Sequence, residues 1–250
     1  MNYDDICYSK TSLSQVIIRV DFLEFFDNSI IFESPIEKEI LKSFPKKGMR
    51  QKIGFQAMRF FTDTTGQRTE HTTQEGIQQD YYDSDGNKTI VSNKFIIFEV
   101  NHYKTFEITL DNFSPILKQI IDNKEITSMR TGIRYINIFN ENSIKPQKNY
   151  FKSNIGSLFE ANQKSSDCIR TMAMSEYLIE DMQLNFRFGM FNPQYPQIIR
   201  KNDYVLDYDC FIDEAITGYE SIIDHITTGH DNIQRLFEDS ITDQLRKVMD

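Results

Sequence analysis

Five carboxylates fall within one short stretch near the C-terminal end of the sequence: Asp203, Asp207, Asp209, Asp213 and Glu214. On a strand, Asp207 and Asp209 point to the same face. Two carboxylates so placed could hold Mg²⁺ through oxygen ligands, as a metal-dependent nuclease or hydrolase requires. A nuclease of the restriction type also wants a nearby Glu-x-Lys strand to position water. No such lysine lies around Asp207 and Asp209. The plainer reading is a strand that turns one polar face to solvent. His225 and His230 are five apart, a poor spacing for one metal on a helix, and are read as surface or hydrogen-bonded histidines. The glycines are dispersed, so neither a dinucleotide fingerprint nor a P-loop exists, and there is no Gly-x-Ser-x-Gly elbow. Cys7, Cys168 and Cys210 form no Cys-x-x-Cys pair. No catalytic residue, no metal ligand and no cofactor is therefore expected.

A second group could meet phosphate. Lys46, Lys47, Arg50, Lys52, Arg59 and Arg68 are opposed in their stretch only by Asp63. The functional reading is a nucleic-acid strip; the plainer one is a solvated strand face. Aromatic strands at Phe55–Phe61 and Phe186–Phe191 could stack bases, but the second has no basic flank, which favours core packing.

Composition sets the frame for these residues. The chain has 250 residues and a formal charge of −9, which disfavours a generic nucleic-acid binder. It is long enough to bury a core without disulfides, as one large domain or two small ones. Counting along the sequence gives 33 Ile against 4 Ala, which favours strands unless base composition explains it. No apolar run approaches the ~20 residues of a membrane-spanning helix. The start, Met-Asn-Tyr-Asp-Asp, has no secretory signal, so a cytoplasmic protein without membrane contact is expected.

The elements follow from periodicity. Ser12–Phe26 reads as a strand, and Ser34 caps a helix that Pro45 stops. Gln51–Thr62 is a second strand, followed by a long polar loop over Asp63–Gln74. Ile77–Tyr82 and Thr89–Val100 form a hairpin around Asp85-Gly86. Leu110–Ile121 is helical with Asp111 as its cap, and Ser128–Phe139 is a strand. Asn140–Lys152 reads as a linker. Ile169–Tyr177, Met182–Phe191 and Tyr204–Ile212 are strands, and the chain ends in a long helix that Gly229 bends. This predicts an α+β fold in two halves, 1–140 and 150–250, each an antiparallel sheet with helices on one face. The halves could also form one continuous domain.

One string is more specific. Thr131-Gly132-Ile133-Arg134-Tyr135-Ile136-Asn137 resembles the signature of a sporadically distributed prokaryotic family of similar length, marked by an Arg-Tyr-x-Asn strand. A Leu-Asp-x-Asp segment, here Leu206-Asp207-Tyr208-Asp209, and a C-terminal Phe237-x-x-Ser240-Ile241-Thr242-Asp243-x-Leu245-Arg246 are also similar to that family. The departure is at the first strand, where Thr11-Ser12-Leu13-Ser14-Gln15 replaces a Pro-rich start. The resemblance implies a fold and brings no activity with it. Its patchy distribution implies a mobile or defence locus of toxin–antitoxin type and a partner protein encoded nearby.

Along that strand Tyr135 and Asn137 share one face and Arg134 takes the other. A buried Arg needs a carboxylate, and Asp207, Asp209 and Asp243 are the candidates. Two readings stay open: an Arg–Asp network joining the halves, or a polar pocket for an anionic ligand or partner segment. Ser240, Thr242 and Asp243 form either a helix cap and dock or a corner facing a partner. The expected function is a non-catalytic binding or regulatory component, with self-association left open. The alternatives are a metal-dependent nuclease or hydrolase using Asp207 and Asp209, and a nucleic-acid accessory subunit using Lys46, Lys47, Arg50, Lys52 and Arg59.

Overall fold

Val16, Ile18 and Val20 alternate with Ile17, Arg19 and Asp21, and this period of two makes β1 (Leu13–Phe22) a strand with one apolar face. The computed structural model describes residues 8–27, 32, 34–63, 66–122, 126–163, 167–201 and 203–250, with backbone alone for 56–72, 122 and 160–163. After β1 come α1 (Pro35–Ser43), β2 (Lys46–Asp63), β3 (Gly66–Tyr82), β4 (Lys88–Ser92), β5 (Phe95–Val100), α2 (Phe106–Asp122) and β6 (Thr127–Phe139). A 3₁₀ turn at Lys148–Tyr150 precedes α3 (Ser153–Gln163), β7 (Thr171–Ile179), β8 (Met182–Met190) and β9 (Tyr204–Ile212). The short β10 (Ile216–Thr217), the long α4 (Tyr219–Ser240) and α5 (Asp243–Met249) close the order. The fold is α+β, as the periodicity predicts.

All the strands join one antiparallel sheet of ten, in the order β2-β3-β4-β5-β1-β6-β9-β8-β7, with β10 on β6. The β6–β9 ladder, running from Thr131↔Ile212 to Phe139↔Tyr204, carries the sheet from the first region into the second. The helices pack on one face. Phe113 of α2 stacks on Phe98, Phe44 after α1 meets Phe98 edge-on, and Phe159 of α3 meets Tyr204. Helix α4 lies across β6 and β9. Its stripe of Ile222, Ile226 and Ile233 is fully buried, each such side chain worth ~1.5–3 kcal/mol by transfer.

Local chemistry set several boundaries differently from the expectation. Asp63 and Gly66–Gln74 are strand and not loop, because β2 and β3 stay paired out to Asp63↔Gly66; residues 64 and 65 lie outside the described residues. β-branched Thr suits a strand, and a ladder's backbone hydrogen bonds need no apolar side chains. Thr89–Val100 is two strands, not one. The Ser92 hydroxyl accepts from the amides of Lys94 and Phe95 at 3.1 and 3.0 Å and turns the chain there. Helix α2 starts at Phe106, which puts Asp111 inside it rather than at its cap. Helix α4 runs unbroken through Gly229, where an added Cβ would meet Ile133 Cγ2 at 2.9 Å. The glycine lets the helix approach the sheet and does not bend it.

Candidate functional site

Strand β6 lies between β1 and β9 and serves both faces of the sheet. On the face opposite the helices, Arg134 is paired in register with Asp209 but reaches diagonally to Asp207. Its Nε and Nη2 donate to the two Asp207 oxygens, each at 2.7 Å. Arg187, directly opposite Asp207 on β8, donates to the same carboxylate at 3.0 Å and to Asp209 at 3.4 Å. Arg130 reaches Asp213 at 3.0 Å and lies over the Phe211 ring at 3.7 Å. Arg19 grips Asp21 through two bonds of 2.8 and 2.7 Å. Arg134 thus takes Asp207, one of its three candidate partners, and the pair does span the two regions of the chain. Asp243 bonds Arg246 instead, at 2.6 Å.

This lattice has a definite electrostatic character. Arg19, Arg130, Arg134 and Arg187 balance Asp21, Asp207, Asp209 and Asp213. Burial raises the Asp209 pKa, against the lowering effect of the Arg130, Arg134 and Arg187 guanidiniums. A divalent cation would have to compete with two arginines that already place three hydrogen bonds on Asp207. Among the described residues no group of three or more His, Cys, Asp or Glu is placed to hold a metal. Next to the lattice runs the edge strand β7. Its Met172, Met174 and Leu178 lie opposite Gly189, Arg187 and Gln183 and share the Arg187 face. They are 40, 57 and 74% exposed.

The other face of β6 lines a cavity of about 300 Å³. Tyr135 and Asn137 form its floor, as their shared face predicts. The Tyr135 hydroxyl lies 2.7 Å from Nδ1 of His230 and 3.4 Å from the Tyr103 hydroxyl. Burial raises the Tyr135 pKa well above its usual value, so its phenol stays protonated. Phe106 stacks on the imidazole with centroids 4.0 Å apart. Burial lowers the His230 pKa from 6.5 to about 4, although Glu107 pulls the other way. His230 is therefore neutral at neutral pH. His230 is thus the hydrogen-bonded histidine of the two sequence readings and not a surface one. The α4 stripe carries the signal: Ile226, His230, Ile233 and Phe237 fall on one helical face.

The remaining expected residues are structural. Ser240 donates to the Leu236 carbonyl at 2.6 Å. Thr242 donates to the Asn149 carbonyl at 2.7 Å, and Phe151 bridges to Ile241. The corner docks onto the 3₁₀ turn, and Thr242 stands at the N-cap of α5 without a side-chain cap bond. In the basic strip, Lys47 pairs with buried Glu37 at 2.9 Å. Arg50 bonds Gln79 at 3.3 Å and covers the Phe32 ring at 4.5 Å. Lys46 and Lys52 are exposed, and the Arg59 side chain lies outside the described residues. No helix is long and apolar enough to cross a membrane among the described residues. A scan against protein-family models matches none, and no curated protein or solved structure matches the chain.

Proposed function

We propose that the protein is a non-catalytic binding component that docks a partner protein on the helix-free face of its sheet. The observation that carries this is an apolar edge beside a charged lattice: exposed Met172, Met174 and Leu178 next to the Arg187–Asp207–Arg134 pairs. An interface with an apolar core and a polar rim needs both, and Met adapts to irregular partner surfaces. The edge of β7 also offers unpaired backbone groups to an added strand. The fitting partner presents an apolar strand or patch flanked by charges of both signs. The Arg134–Asn137 resemblance suggests a partner encoded nearby, in a prokaryotic defence or toxin–antitoxin-like locus, and a cytoplasmic setting. The division into halves, 1–140 and 150–250, fits two lobes of one sheet joined at β6–β9. A second copy of the chain is the competing occupant.

The test is co-purification with the products of adjacent genes, comparing the native protein with Met174→Glu and Leu178→Glu. Both sites are exposed, so folding should be unchanged by circular dichroism. The expected result is one stoichiometric complex that both variants abolish. No complex with any neighbour, or complexes that survive both substitutions, would overturn the reading. Hydrolysis through Asp207 and Asp209 is the weaker alternative, because their oxygens already serve arginines.

A further inference from the structure

The cavity on the opposite face of the sheet has an unused hydrogen-bonding group. Asn137 is 5% exposed and lines the cavity. Its Oδ1 accepts from the Ser12 hydroxyl at 3.2 Å, and its Nδ2 has no partner among the described residues. Nδ2 is not among the buried unsatisfied atoms, so it is open to the cavity, where a ligand could take it in place of water. Nδ2 supplies a donor and Oδ1 keeps a second lone pair. That combination matches a ligand edge carrying N–H beside a carbonyl or ring-nitrogen acceptor.

The rest of the cavity narrows the ligand. Tyr103, Phe106, Tyr135, His230 and Phe237 contribute ring surfaces, which suit a flat apolar body. The volume of about 300 Å³ lies at the small end of ligand pockets, ~300–1,000 Å³. It admits a one- or two-ring molecule. The charges cancel. Glu238 is held by Arg246 at 2.8 Å and by the Tyr8 hydroxyl at 2.8 Å. At the mouth, exposed Lys104 faces exposed Glu107. His230 adds no charge at neutral pH. An anionic ligand would find no net positive wall.

We infer that this cavity binds a neutral, planar heteroaromatic ring with an N–H beside an acceptor on one edge, of nucleobase size, held on Asn137 between aromatic walls. The site lies across the sheet from the partner face and does not depend on it. A free base or nucleoside and a base at the end of a nucleic-acid strand share this chemistry.

Isothermal titration calorimetry on the full chain tests it. The probes are uridine, guanosine and adenosine, whose bases each carry an N–H beside an acceptor, purine riboside, whose base has no N–H, and a short oligouridine. The expected result is one-to-one binding of uridine, guanosine or adenosine, with purine riboside at least about tenfold weaker. Asn137→Ala should weaken binding about tenfold. Lys104→Trp, at the exposed mouth, should block entry while leaving the core intact, so the outcome does not depend on one buried substitution. Binding of oligouridine without free uridine would identify a strand-held base as the ligand. The inference is overturned if no probe binds at millimolar concentration, if purine riboside binds as tightly as the others, or if both variants bind like the native protein.

Discussion

Arg134 and Tyr135 are adjacent in β6 and hold opposite sides of the same sheet together. Arg134 grips Asp207 through two 2.7 Å bonds on the open face. Tyr135 meets His230 of α4 at 2.7 Å on the helix face. The strand therefore couples the β9 register and the seating of α4 through two neighbouring residues, and each can be tested separately.

Asp207 is buried and shared by two guanidiniums, so its removal strands both. Each arginine is about one-third exposed, so water offsets part of the loss. Asp207→Ala should cost about 1–3 kcal/mol. Arg134→Ala should cost less, since Arg187 still neutralises Asp207. Urea denaturation measures both, and an Asp207→Ala midpoint equal to that of the native protein would refute the keystone role.

His230 has a folded pKa of about 4 against 6.5 unfolded. Between those values the unfolded chain holds more protons, so stability rises with pH. The contribution is complete above about pH 6.5 and is lost as pH falls toward about 4. It amounts to roughly 3 kcal/mol at most. The stability difference between the native protein and His230→Phe should therefore grow with pH across this window. A flat difference would mean His230 titrates as an exposed imidazole.

Glu37 is a carboxylate only 4% exposed, held by the Tyr81 hydroxyl at 2.7 Å and by Lys47 at 2.9 Å. Lys47→Ala should destabilise by about 1–2 kcal/mol, whereas Lys52→Ala should stay within about 0.5 kcal/mol. If the strip instead bound nucleic acid, both variants would reduce a steeply salt-dependent affinity and leave stability alike. Thermal melts and filter binding together separate the two roles.

Gly229→Ala usually gains about 1 kcal/mol inside a helix. Here the new methyl meets Ile133 at 2.9 Å and Met182 at 3.3 Å. Overpacking of about 1–3 kcal/mol should exceed that gain, so the variant should melt lower. A higher melting temperature would show that α4 can lift from the sheet freely.

The sequence by itself determined most of the elements. Alternation at Val16, Ile18 and Val20 marked β1, and Ser34 accepts from the amides of Ile36 and Glu37 at 3.1 and 3.4 Å, as a helix cap should. It also determined that Tyr135 and Asn137 share a face and that Arg134 needs a carboxylate. These are consequences of periods of 2 and ~3.6, which act over a few neighbouring residues. Tertiary structure alone decided which carboxylate Arg134 takes and what His230 does. The Arg134–Asp207 bond joins residues 73 apart, and the Tyr135–His230 bond joins residues 95 apart. Such pairs are set by strand register and by how closely α4 approaches the sheet, which depend on burial across the whole chain. The same limit applied at Gly66–Gln74, where local polarity suggested a loop and pairing with β2 made a strand.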